Sequence, residues 1–233
     1  MHFIRDIRNA LLHLAYPHVC EGCGNDLADS SQLLCLRCLN VLPITNFHLH
    51  AGNPVEKLFW GRLPVTHASA HLYFTKESLV QHLMHQFKYR NNKELGIYLG
   101  KIMGHALANS NRFRFIDALV PLPLYAAKER KRGFNQAAVL CEGLATVLHK
   151  PVLDGAVIRS MHTETQTRKS RVERWSNIEG KFELKDAAAL SGKQILLVDD
   201  VITTGATLEA CGRTLLAVEN LQLSIATLCF SSH

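Results

Sequence analysis

The segment ILLVDDVITTGAT, residues 195–207, contains four branched apolar residues, then two adjacent acids, then a loop of small and hydroxylated residues. The apolar run 195–198 predicts a strand buried on both faces, as in a parallel sheet. Asp199 and Asp200 then fall at the carboxyl end of this strand, which is the edge of an open α/β sheet where ligands bind. The segment therefore predicts a ligand site as well as a fold class.

The loop after the two acids has the composition of a phosphate-binding loop. Its residues are Thr203, Thr204, Gly205, Ala206 and Thr207. Backbone N–H groups, the dipole of the following helix and the threonine hydroxyls would together bind one phosphate, and Gly205 allows the backbone to approach it closely. The two carboxylates can bind the two hydroxyls of a ribose, or a Mg²⁺ ion that these hydroxyls share. A purely structural interpretation, in which the acids cap the strand and the threonines begin the helix, explains the acids and the loop separately but not the order in which they follow each other.

Strand and helix patterns alternate around this segment. Apolar runs predict strands over 67–74, 115–124, 181–184, 195–200 and 223–230, with 151–160 extended. Helical periodicity marks 79–90, 94–109, 135–148 and 205–218. This alternation predicts an α/β fold in which an open, mostly parallel sheet is flanked by helices.

Four of the seven cysteines form two C-x2-C pairs, separated by 11 residues: Cys20, Cys23, Cys35 and Cys38. Four thiolates supply the tetrahedral sulfur shell of structural Zn²⁺ and leave no open position for catalysis. A disulfide framework is the main alternative, and an iron–sulfur cluster is another, although such clusters use different spacings. The other three cysteines lie in apolar runs, where cysteine behaves as a small hydrophobe.

The predicted organisation has two parts. Residues 1–50 comprise an amphipathic helix over 3–16 and the small four-Cys zinc module, and residues 51–233 form the α/β domain. The stretch 44–65 contains two glycines and two prolines and is interpreted as a linker or loop.

Composition excludes several classes of protein. The chain has 233 residues, 47% hydrophobic and 20% charged, which excludes collagen, a long disordered tail and a coiled coil. No apolar run approaches the roughly 18–20 residues of a membrane helix. Asp6 and Arg8 interrupt the first apolar stretch before it reaches the length of a signal peptide. We therefore expect a cytoplasmic protein with reduced thiols and no membrane insertion.

The positive charge is concentrated in the middle of the chain. Residues 51–150 hold 14 basic and 6 acidic residues, whereas the two flanking parts are each slightly acidic. A solvated basic face explains this surplus, and so does a surface for nucleic acid or a phosphorylated small molecule.

Three stretches and the cysteines resemble a known family. The run 195–207 resembles the loop that binds phosphoribosyl pyrophosphate (PRPP) in type I phosphoribosyltransferases. The stretch VPLPLYAAKERKRGFNQA, residues 120–137, and the pattern Q-T-x-x-S followed by E-R-x-x-N, from Gln166 through Asn177, narrow the match. With the four-Cys module in front, the chain resembles the ComF (ComFC) family of competence proteins over essentially its whole length.

The resemblance assigns roles to three groups of residues. The loop after an early strand binds pyrophosphate in such enzymes, and its candidates here, for pyrophosphate or DNA, are Lys128, Arg130, Lys131, Arg132, Gly133 and Asn135. A flexible loop closes over the site, and its candidates are Gln166, Arg168, Arg171 and Arg174. PRPP with Mg²⁺ is implied at the two aspartates and the loop 203–207.

Three functions remain open from the sequence. The first is a competence protein of DNA uptake that binds PRPP and single-stranded DNA, with a competence helicase or ATPase as partner. The second is an active phosphoribosyltransferase that acts on an unidentified base or nucleotide-salvage substrate. The third is a non-catalytic PRPP sensor. Aromatic residues among the basic ones, Phe87, Tyr89 and Phe134, suit a base-stacking surface but equally suit a core. No residue is an evident base for the transfer reaction, so the sequence does not decide whether the protein is an enzyme.

Overall fold

A computed structural model describes residues 18–27, 29, 31–160 and 181–231 of the chain. The predicted helix over 3–16 and the predicted flexible loop lie outside these residues. Within them, the polypeptide forms a sheet with a layer of helices on each face, as the alternating pattern predicts.

The main sheet has four strands that all run parallel. They are β1 (His67–Tyr73), β2 (Ala118–Pro121), β5 (Gln194–Ile202) and β6 (Gln222–Phe230), in the spatial order β1-β6-β5-β2. Leu197 pairs with Ile225 on one side of β5, and Leu196 pairs with Leu119 on the other. A separate antiparallel pair joins β3 (Val157–Ser160) to β4 (Lys181–Leu184).

Seven α-helices surround the sheet in the described part of the chain. They are α1 (Leu36–Asn40), α2 (Pro54–Lys57), α3 (Leu79–Tyr89), α4 (Lys93–Ala108), α5 (Ala126–Arg132), α6 (Gln136–Leu148) and α7 (Ala206–Leu215), and a short 3₁₀ helix covers Phe47–Leu49. None of the helices in these residues is long and apolar enough to cross a bilayer.

Strand β5 divides the interior into two hydrophobic clusters. Its successive side chains point to opposite faces, so Leu196 and Val198 join the cluster of α3, α4 and α6, while Ile195 and Leu197 join the cluster of α2 and α7. All four side chains are fully buried. The first cluster also contains Cys20 and Cys38, so the four-Cys module packs on the same core as the helices beside it.

The stretch 44–65 is not a linker, because it is packed on the sheet. Phe47, Val55 and Phe59 are buried in the second cluster. Asn53 caps α2 through its side-chain oxygen and donates its amide to the carbonyl oxygens of Phe47, His50 and Ala68, at 2.9–3.2 Å. The linker interpretation was wrong, whereas the loop interpretation holds for most of the stretch: glycine and proline mark turns, and a segment made of turns can still bury its apolar side chains.

Helices α4 and α6 approach each other closely through glycines. A β-carbon at Gly143 would lie 2.2 Å from the carbonyl oxygen of Ile97, and one at Gly100 would lie 2.4 Å from that of Leu140. Both contacts are with backbone atoms, which cannot rotate away. The glycines therefore set the distance between the two helices that cover this face of the sheet.

We predict that Gly143→Ala lowers the free energy of unfolding by about 2–3 kcal/mol, because the helices must move apart and disturb the core. Gly104→Ala is the matched control, since its β-carbon would meet the side chain of Val147 at 3.0 Å, and alanine favours the helix by up to about 1 kcal/mol. Urea unfolding of both variants measures the difference. Equal stability of the two variants would contradict the close backbone contact.

Candidate functional site at the carboxyl edge of the sheet

The two acids lie near the carboxyl end of β5, as predicted, although the strand continues through Ile202. Asp200 is buried and Asp199 is half-buried. The Asp199 carboxylate accepts the backbone N–H of Asp200 at 2.8 Å. Burial, followed by the negative charge of Asp200, raises the pKa of Asp199 well above its usual range. A partner that carries positive charge or donates hydrogen bonds is favoured at such a pair.

A lysine from another element meets this pair. Lys88, in the last turn of α3, places its ammonium nitrogen 2.8 Å from Oδ2 of Asp200, and both side chains are more than four-fifths buried. The Lys88 charge also acts on Asp199, whose pKa it lowers against the larger opposing effects. The sequence analysis did not connect Lys88 to the acidic pair, because nothing local relates this lysine to a strand so far along the chain.

The loop 203–207 follows β5 and leads into α7. Gly205 has φ +75°, a left-handed conformation that glycine adopts without strain, and it caps the helix. A β-carbon there would lie 3.1 Å from Phe59. Thr203 and Thr204 are exposed, and the N–H groups in the first turn of α7 have no partner within the helix. Ala206 donates its N–H to the Thr204 hydroxyl at 3.4 Å, so the N–H groups of residues 207 and 208 are the donors that the start of α7 offers at this edge.

Arg62 fastens this loop to the neighbouring segment. Its guanidinium donates to the carbonyl oxygen of Thr204 at 3.2 Å and forms an ion pair with Glu209 of α7. Arg213 binds the same carboxylate at 2.7 Å. Because Glu209 accepts from two arginines, its pKa is lowered. These contacts hold the loop on its outer side, and sequence reasoning did not find them.

The basic stretch after β2 forms a helix, where the sequence analysis interpreted it as a loop. Helix α5 has no buried residue and ends at Gly133, which has φ +84°. Its cations line a cleft of about 590 Å³ together with the end of α3. The residues that line this basic cleft are Lys88, Tyr89, Asn91, Lys128, Arg130, Lys131, Arg132 and Gly133. Five of the eight are cationic, so the cleft attracts anions.

Two of the predicted pyrophosphate or DNA residues have structural contacts. Asn135 caps α6, since its oxygen accepts the N–H of Ala137, and its amide donates to the carbonyl of Leu122 at 3.0 Å. Arg132 donates to Gln136 at 2.7 Å. Lys128, Arg130 and Lys131 are exposed, which leaves their charge available to a ligand.

The three aromatic residues among the cations divide between core and surface. Phe87 and Phe134 are buried and pack on each other with ring centroids 5.7 Å apart. Tyr89 is 62% exposed in the basic cleft, with the Arg132 guanidinium 5.9 Å from the centre of its ring. Of these three aromatic residues, Tyr89 is therefore the one placed to stack against a ligand.

The four cysteines of the predicted metal module converge. The sulfur atoms of Cys20, Cys23, Cys35 and Cys38 all lie within 4.8 Å of one another. Cys23 and Cys35 are 3.7 Å apart between sulfurs, and a tetrahedral shell with metal–sulfur bonds of about 2.3 Å places its sulfurs about 3.8 Å apart. The cluster can hold a metal ion.

Backbone donors prepare one of these thiols for a metal. Burial raises the pKa of Cys20, but N–H groups from Cys35, Cys23 and Gly22 outweigh it and lower the pKa to about 6. Gly22 is required at its position, because a β-carbon there would lie 2.9 Å from the Cys38 sulfur. A thiolate is the form that binds metal, so the fold favours a ligand even before the ion arrives.

The flexible-loop candidates Gln166, Arg168, Arg171 and Arg174 lie outside the described residues. Their assignment stays a prediction. The strands β3 and β4, which precede and follow this stretch of the chain, are described and pair with each other.

Comparison with known proteins identifies first the class of domain. Residues 135–233, which include the acidic pair and the loop 203–207, match the phosphoribosyl transferase domain family. Together with the parallel sheet and its flanking helices, this match confirms the predicted phosphoribosyltransferase-like fold.

Relatives then identify the family. The chain is 30% identical over 219 residues to competence protein F of Haemophilus influenzae, with 91% of each chain covered. It is 30% identical to the DNA utilization protein YhgH of Escherichia coli O157:H7, covering 94% of this chain and 92% of that protein. Competence protein ComFC of Bacillus subtilis is 32% identical over 61% of this chain and 56% of its own length. The chain belongs to the ComF family, as the sequence motifs predict.

We predict about one metal ion per chain in the purified protein, and loss of this ion in Cys20→Ser, because a hydroxyl is a poor substitute for a thiolate. Cys141→Ala, which removes a buried cysteine of α6 outside the module, should keep full occupancy. Elemental analysis by mass spectrometry measures both. Full metal content in Cys20→Ser, or none in the wild-type protein after zinc is supplied, would contradict the assignment.

Proposed function

We propose that the protein binds PRPP with Mg²⁺ at the carboxyl edge of β5. The observation that carries this proposal is the sequence of groups along one edge: two adjacent carboxylates, then a loop that leads into α7, whose first N–H groups have no partner within the helix. Asp199 and Asp200 would receive the ribose hydroxyls, with Mg²⁺ held by the same oxygens. The loop 203–207 would receive the 5-phosphate, where N–H groups and the helix dipole favour negative charge.

The second part of the proposal concerns single-stranded DNA in the basic cleft. Its cations would contact phosphates and release counterions, and exposed Tyr89 offers a face on which a base stacks. Names of the relatives support this part, since they are described as competence and DNA utilization proteins. We place the protein in DNA uptake, acting on strands that have reached the cytoplasm.

The third part is the identity of the metal. Four sulfur ligands at tetrahedral spacing suit Zn²⁺, which has no redox chemistry and is held in closed sites of this kind. A ring of four cysteines leaves no position for a substrate. The role of zinc is therefore to hold together a short segment that buries few side chains.

We predict that Asp200→Asn weakens the binding of PRPP with Mg²⁺ by ten- to about a hundredfold, because a charge-assisted hydrogen bond contributes about 1.5–3 kcal/mol. Glu219→Gln is the matched control: it removes the same charge in the turn before β6, at the opposite edge of the sheet. Isothermal titration calorimetry measures both affinities. If intact protein binds no PRPP, or if both variants bind as wild type does, the proposed site is wrong.

We predict that the triple substitution of Lys128, Arg130 and Lys131 by Gln weakens binding of single-stranded DNA and flattens its salt dependence. Three lost phosphate contacts should reduce the slope of log K against log salt by about two. Arg132 stays in place because it supports Gln136. A control with Lys76, Lys101 and Lys185 changed to Gln removes equal charge elsewhere on the surface.

The binding assay is fluorescence anisotropy of a labelled oligonucleotide over a range of salt. Equal slopes for the triple variant and its control would contradict DNA binding in the cleft. Tyr89→Ala should reduce affinity for single strands more than for duplex, because paired bases hide their faces. If PRPP displaces the oligonucleotide from wild-type protein, the cleft serves pyrophosphate as well.

A further inference from the structure

Helix α3 connects the metal module to the acidic pair. Its last turn carries Lys88, which meets Asp200 at 2.8 Å. Taking both charges out of water is costly unless the geometry is fixed, so this pair depends on a support that holds the lysine in place. The residues that provide this support lie outside the acidic pair.

The support comes from the first cysteine pair. Gln86 of α3 donates to the carbonyl oxygen of Glu21 at 2.8 Å, and Glu21 lies between the metal ligand Cys20 and Gly22. Asn92, just after the helix, donates to the Glu21 carboxylate at 3.0 Å. At the other end of the helix, Leu79 lies against Gly22, where a β-carbon would be 2.9 Å from its methyl group. Both ends of α3 therefore rest on the turn between Cys20 and Cys23.

Packing leaves α3 little freedom to move. Val80, Leu83, Met84 and Phe87 are buried on its inner face, in the cluster that also contains Cys20 and Cys38. A shift of the cysteine turn would thus be transmitted to the helix through hydrogen bonds and through the core. Lys88 is one residue beyond buried Phe87, close to the anchored Gln86.

We propose that Lys88 is a positioning residue for Asp200, and that the metal-bound cysteine module holds Lys88 in place. The lysine orients the carboxylate toward ribose hydroxyls and Mg²⁺, while the module fixes the helix that presents the lysine. The cysteine module therefore has a second effect besides its own local stability: it supports a ligand site that lies outside the module. This inference rests on the proposed binding of PRPP at the acidic pair.

The test is a double-mutant cycle on metal-loaded full-length protein, with PRPP and Mg²⁺ affinity measured by calorimetry. Lys88→Met should weaken binding by about tenfold or more, as expected for a residue that orients a ligand group, and Lys88→Arg should recover most of the loss because it restores a cation. Gln86→Ala should weaken binding by about threefold. In the Lys88→Met background, Gln86→Ala should have no further effect, since the helix then positions nothing.

Controls separate positioning from folding. Gln81→Ala removes an exposed glutamine of the same helix whose side chain accepts the backbone N–H of Glu77 at 2.6 Å, and it should bind as wild type does. Metal content and thermal midpoint are measured for every variant, because a variant that loses its metal would weaken binding for another reason. Lys101→Met removes a lysine charge from exposed α4 surface and should leave affinity unchanged.

Each outcome decides one level of the proposal. If wild-type protein binds no PRPP, the proposed function fails and this inference fails with it. If wild type binds but Lys88→Met binds equally well, the proposed function stands and the positioning role is overturned. If Gln86→Ala weakens binding to the same degree in both backgrounds, the module acts on the site without Lys88, and the proposed connection is wrong.

Discussion

Strand β5 is paired on both sides and buried on both faces, and the arrangement of the site depends on this constraint. Its apolar residues pack into both hydrophobic clusters because the strand runs through the middle of the domain. Polar side chains are accommodated only near the end of the strand, where the clusters end. The acids near that end therefore lie at the edge where the loop 203–207 and the helices α3 and α5 also arrive.

Charge at this edge is divided between two neighbouring regions. The acidic pair concentrates negative charge, whereas the basic cleft beside it concentrates positive charge, and Lys88 belongs to both. Such a division suits ligands that carry hydroxyls and phosphates at separate ends. The binding of one proposed ligand should therefore change the affinity for the other, because each changes the electrostatic field at the same lysine.

Periodic apolar residues predicted the main elements well. The strands β1, β5 and β6 and the helices α3, α4, α6 and α7 form within a few residues of their predicted bounds, since burial on a sheet or helix face requires a regular spacing. Helix α5 was missed because it has no buried side chain and hence no apolar period. Its alanines, lysines and arginines favour helix, and Gly133 marks its end, so propensity could have found it.

The other features that the sequence did not predict are contacts between segments that lie far apart in the chain. Three contacts join residues that are far apart in the sequence. They are the ion pair of Lys88 with Asp200, the hydrogen bond from Arg62 to Thr204, and the hydrogen bond from Gln86 of α3 to Glu21. The acidic pair, the loop 203–207 and the four cysteines were accessible to sequence reasoning because each is contiguous or regularly spaced. Their supporting residues depend on tertiary packing, which a local pattern does not encode.

A crystal structure of the protein with PRPP and Mg²⁺ tests the central claim most directly. We expect the ribose hydroxyls, or the metal ion they share, at Asp199 and Asp200, and the 5-phosphate among the N–H groups of the loop 203–207. Lys88 should still lie beside Asp200. PRPP bound elsewhere on the chain, or density for the 5-phosphate away from this loop, would contradict the account.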